Sequence, residues 1–81
     1  MTQQNSSGIA FVDVEHALAE GGRAWNAGRI EAAAAAFAHA ALLAPSNAQA
    51  HSNLGVALRR LGKVEAAIAS YQRGLTLTPD D

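Results

Sequence analysis

Along the chain, apolar residues recur at spacings of three and four. Leu54, Leu58 and Leu61 form one row, and Val64, Ala67, Ile68, Tyr71 and Leu75 form another. At about 3.6 residues per turn, each row lies along one side of a helix. Gly62 sits between the two rows, where a left-handed residue ends one helix and turns the chain tightly into the next. The layout is already present 34 residues earlier with smaller side chains, as Ile30, Ala33, Ala34, Phe37 and Ala41 following Gly28. The pattern predicts helices near 13–27, 30–43, 47–61 and 64–77, and no strand pattern competes with it. Residues 1–12 read as a mostly disordered leader, and 13–81 as two repeats, 14–47 and 48–81.

Local signals refine these elements. Gly21 and Gly55 fall inside the first helix of each pair, where glycine costs about 1 kcal/mol relative to alanine. Close approach of the paired helix at the small residues Ala33 and Ala67 is the expected compensation. Pro45 and Pro79 stop the second helices, because proline lacks an N–H and biases its predecessor away from helical angles. Ser46 to Gln49 reads as a capping box for the third helix. Glu31 and Glu65 favour the positive starts of the second helices.

In the later repeat His51, Leu54, Gly55, Leu58, Ala67, Tyr71 and Pro79 fall at the spacing W-x2-L-G-x2-Y, A-x3-F, P. This resembles a tetratricopeptide (TPR) repeat. The earlier repeat carries Ala17, Glu20, Gly21, Ala24, Ala33, Phe37 and Pro45 at the same places, with eight identities in 34 positions. It departs from the pattern at Glu20, a normally apolar position, and at Ala24, where a large residue is usual. Trp25, one place along, is expected to take over part of that contact. The resemblance implies an all-α fold, two antiparallel helix-turn-helix units stacked as a short α-solenoid.

Composition narrows the chemistry. Six Lys and Arg against seven Asp and Glu give a net charge of -1, so the basic field of a dedicated nucleic-acid binder is absent. No cysteine is present, which removes disulfides and thiolate metal sites. His16, His39 and His51 lie in three different predicted helices without metal-ligand spacing, and no nucleophile stands beside a base. The reading is a protein without cofactor, metal or catalytic residues, with no membrane span, placed by default in the cytoplasm.

The resemblance further implies a groove lined by the first helix of each pair and filled by a peptide or a partner helix. The matching positions are Glu15, Leu18, Trp25 and Asn26, then Gln49, Ser52, Asn53, Val56, Arg59 and Arg60. Arg59 and Arg60 suit carboxylates, and Asn53 suits peptide backbone. Asn53 also matches an asparagine of chaperone-tail clamps, but Leu18 and Gly22 stand where such a clamp would want lysine and asparagine. Trp25 is either a binding anchor or packs on its own chain, against Ile9 and Phe11.

Two units are fewer than repeat arrays commonly need. Gly74, Thr76 and Thr78 are weak helix formers, and an apolar surface around Tyr71, Leu75 and Leu77 is expected to lie uncovered. Self-association, giving a homo-oligomer, is the favoured remedy over a piece cut from a longer array. The function read is a non-catalytic interaction module; the alternatives are a recognition segment of a larger enzyme, as similar repeats precede bacterial glycosyltransferase domains, or a purely structural assembly unit.

Overall fold

The computed structural model of the chain describes residues 13–78; the expected leader over 1–12 and the stop at Pro79 lie outside the described residues. Four helices follow one another: α1 (Val14–Asn26), α2 (Ile30–Leu43), α3 (Ala48–Arg60) and α4 (Val64–Leu77). Each helix packs against the next in the chain, so α2 and α3 form the joint between the two helix pairs. The predicted boundaries agree with these to within two residues.

The tight turns inside each pair are copies of one another. Gly28 and Gly62 have φ of 80° and 82°, a region that a side chain would strain. Around the first, the Gly28 and Arg29 amides donate to the carbonyls of Trp25 and Ala24; around the second, Gly62 and Lys63 donate to Arg59 and Leu58. These paired bonds satisfy carbonyls that the helix end leaves open, the Schellman arrangement.

The other two helix starts use side chains. Asp13 accepts from the His16 amide at 2.8 Å. At α3 the expected cap is displaced by one residue: Asn47, not Ser46, accepts from the Ala50 amide at 2.9 Å. Asn and Ser serve about equally well as caps, so the choice falls to whichever residue stands immediately before the first helical position.

The core is built almost wholly from alanine. Ala17, Ala24, Ala33, Ala40, Ala50, Ala57 and Ala67 are buried, and Phe37 is the one large side chain among the buried residues described. Small side chains let backbones approach closely, but they remove little apolar area from water, which leaves an 81-residue chain with a narrow margin of stability. At Gly55 the expected close approach is present, a Cβ there lying 3.2 Å from the Ala67 carbonyl oxygen, and aromatic rings add to the compensation. It is the ring of Phe37 that occupies the space a Gly21 Cβ would take, and the Tyr71 ring does the same at Gly55, where Cδ1 would lie 2.9 Å away. Gly74 also has a packing role beyond weak helix propensity: a Cβ there would meet Ser52 Oγ at 2.8 Å and the Ala48 carbonyl at 3.3 Å.

Candidate peptide groove

Between α1 and α3 a cleft of about 330 Å³ opens over Phe37. Trp25 and Asn26 of α1 and Asn53 and Val56 of α3 line it, together with Gly22. Four of the expected groove residues therefore come together. They do so because α1 and α3 occupy equivalent places in their pairs, so the same side of both helices turns toward one space. Gly22 contributes openness, since nothing lies within 4 Å of where its Cβ would be. The chemistry is mixed: two amides that donate and accept border an apolar floor of Trp25, Phe37 and Val56.

The remaining expected residues are placed differently. Arg60 carries its guanidinium over the Trp25 ring, 5.3 Å from the centroid. A cation held on an indole face is stabilised by the ring quadrupole, by about 0.5–1 kcal/mol at an exposed site. Trp25 itself is half-buried and packs on the core cluster of Ala24, Ala33, Ala34, Phe37 and Ala57, so it contacts both its own chain and the cleft. The suggested contacts to Ile9 and Phe11 lie outside the described residues. Arg59 is exposed near the end of α3, and Gln49 and Glu15 are exposed in the first turns of their helices. Ser52 belongs to the α3–α4 contact, its hydroxyl lying against Gly74. Leu18 packs against both alanine clusters, so it supports the groove without facing it.

On α4 the expected apolar surface is redistributed. Tyr71 and Leu77 are half-buried, whereas Leu75 is 70% exposed and is joined by Val64 and Ile68. Helix geometry gives the reason, since Leu75 and Leu77 are about 200° apart around the axis and cannot share one face.

Two features had escaped the pattern reading. On the opposite side of α3, α2 and α4 border a second hollow of about 570 Å³, whose walls include Ala41, Leu42, Leu54 and Arg73. Beside it His51 donates through Nε2 to the Pro45 carbonyl oxygen at 2.9 Å, tying α3 to the preceding turn. The second feature is on α1, where Glu20 pairs with Arg23 and lies 3.6 Å from His16 Nε2. The hydrogen bond and charge of Arg23 hold the Glu20 carboxyl below the usual carboxylate range. The spacings of three and four among His16, Glu20 and Arg23 were the available signal.

Among the described residues, no group of three or more His, Cys, Asp or Glu side chains converges on a possible metal position. Among them also, no helix is long and apolar enough to cross a membrane.

Comparison with known proteins agrees with this architecture. The family model described as tetratricopeptide repeat matches residues 18–81. The Hsp70-Hsp90 organizing protein of Triticum aestivum is 38% identical over 66 residues, which is 82% of this chain. The chain spans only 11% of the length of that relative. With four helices in two equivalent pairs and the match extending over most of its length, the chain belongs to the tetratricopeptide repeat family.

Proposed function

We propose that the chain is a non-catalytic interaction module that holds an extended peptide segment of a protein partner in the α1–α3 cleft. Tetratricopeptide repeats generally mediate protein–protein interaction, and the observation that supports this cleft is the convergence of Trp25, Asn26, Asn53 and Val56 over Phe37. An apolar side chain of the ligand sits between Trp25 and Val56, and the two asparagines bond its backbone. Arg59 and Arg60 orient an acidic flank, with Arg60 exchanging its place on Trp25 for a carboxylate. Self-association accompanies this role, through the bare residues of α4.

The wheat relative is named as an organiser of Hsp70 and Hsp90. A chaperone tail is not the ligand favoured here, because Gly22 brings no side chain to the cleft and Leu18 is taken up by the core. An apolar peptide needs neither.

Trp25 is the sole tryptophan, so its fluorescence reports on the cleft directly. Peptides selected from a displayed library are expected to shift that emission on titration. Asn53→Ala is expected to weaken them by roughly tenfold, the size of one lost hydrogen bond to a ligand in a partly desolvated site. Selected peptides that leave Trp25 emission unchanged, or bind Asn53→Ala equally well, would place the binding surface elsewhere.

A further inference from the structure

We propose that the outer face of α4 is a homodimer surface, on which two copies pack their α4 helices antiparallel with Val64 against Leu75 and Ile68 against Tyr71 of the second copy. This rests on the self-association reading and gives it a geometry.

The repeat itself shows which residues expect a neighbour. In α2, Ile30, Ala34, Phe37 and Ala41 form the side that α3 covers: Ala34 and Phe37 are buried, and Ile30 packs on the same cluster. Thirty-four residues later the same positions hold Val64, Ile68, Tyr71 and Leu75. Here Val64 is 56% exposed, Ile68 48% and Leu75 70%. Two of the four are larger and more apolar than their counterparts, the reverse of what a face kept in water would select.

Stacking head to tail, the obvious way to extend a solenoid, does not suit this chain. Leu54 and Ala57 of α3, with Leu61 just past its end, cover α2, and Ala50 lies beyond them. The equivalent positions on α1 are Glu20, Arg23 and Ala27, with His16 in place of Ala50. Laying that face on α4 of another copy would strip water from the Glu20–Arg23 pair and offer Val64, Ile68 and Leu75 in return, with the Tyr71 hydroxyl the one polar group of the stripe.

An antiparallel pair of α4 helices avoids this. The apolar stripe is spaced four, three, four, so it reads the same from either end and is complementary to its own reversal. Glu65 and Gln72 lie on one border of the stripe by helical geometry. Reversal sets Glu65 beside Gln72 of the second copy, whose amide donates to the carboxylate, and keeps the two Glu65 side chains about 13 Å apart along the axis. No like charges meet.

The absence of native cysteine makes the geometry testable by cross-linking. A mixture of Val64→Cys and Leu75→Cys chains under mild oxidation is expected to give the mixed disulfide over either homodimer by roughly tenfold. Two copies of Val64 would be about 16 Å apart along the axis, against a disulfide reach of about 7 Å between Cα atoms. Predominant Val64→Cys homodimers, a statistical mixture, or no cross-link would each overturn the proposal. In sedimentation, the parent chain is expected to dimerise at high micromolar concentration. Ile68→Glu, at an exposed position, is expected to raise the dissociation constant by roughly tenfold or more with unchanged helical circular dichroism. A monomeric parent, or a dimer indifferent to Ile68→Glu, would also overturn it. Peptide titration against Trp25 is read separately, so loss of the dimer leaves the cleft reading intact and the converse also holds.

Discussion

α2 and α4 present equivalent positions of one repeat, yet they meet opposite surroundings. Phe37 of α2 is 5% exposed, lying over Gly21 and under α3. Its counterpart Tyr71 lies over Gly55 in the same way, but no helix among the described residues covers its other side. The inner half of each contact is set within the pair, by a glycine that admits a ring. The outer half is set by the neighbour. A repeat period therefore tells which positions require cover, and the residues on a bare face tell what kind of cover they accept.

Removing the two rings in turn separates the inner contact from the outer one. Phe37→Ala deletes the one large side chain buried among the described residues and leaves a cavity between three helices, at a cost of about 3–5 kcal/mol. That approaches the whole stability of a small domain, so loss of cooperative thermal unfolding is expected. Tyr71→Ala, at a half-buried position, is expected to cost about half as much in urea denaturation at concentrations where the chain is monomeric. Equal losses would show that α4 is as well covered as α2.

Much of this fold is legible in the residues themselves. The rows ending at Leu61 and beginning at Val64, with Gly62 between them, determine two helices and their turn, and α1 and α2 follow by register. The cleft is partly legible for the same reason, since Trp25, Asn26, Asn53 and Val56 occupy matching sides of equivalent helices. What pattern could not supply is direction within a face. Ser52 lies one residue from Asn53, yet it turns to Gly74, because a glycine on α4 leaves room for its hydroxyl. Leu77 follows Leu75 closely in sequence and still falls on another side of the helix. Glu20 reads as a flaw when judged as a core position; with Arg23 and His16 beside it, it is part of a face suited to water.

The polar residues of that face set what α1 accepts as a neighbour. Within the helices, converting α1 to the pattern of α3 takes three changes, His16→Ala, Glu20→Leu and Arg23→Ala, after Ala50, Leu54 and Ala57, with Ala27 left where the later repeat has Leu61. The triple variant is expected to gain head-to-tail association, because α1 then offers α4 what α3 offers α2. Its mean mass in light scattering should rise continuously with concentration, as expected for a heterologous contact that does not close, whereas on the proposed α4 pairing the parent should level off at a dimer. A plateau unchanged from the parent would mean that the charges on α1 are not what prevents stacking.

The smallest effect concerns the charges alone. Arg23, by hydrogen bond and by charge, lowers the folded-state pKa of Glu20, with a smaller contribution from His16. A depressed carboxylate pKa contributes stability that is fully present above the unfolded value and is lost as pH falls through the folded one. The difference in thermal midpoint between the parent chain and Glu20→Gln should therefore persist from pH 7 down to about 5 and close below about pH 4. Molar salt should shrink it at neutral pH, since exposed pairs are screened. A difference that persists in acid would assign the effect of Glu20→Gln to packing or helix propensity. If the difference closes in acid while the proposed dimer is observed there, the charges on α1 act only on their own helix, and the outer faces of α1 and α4 are independent in stability as well as in surface.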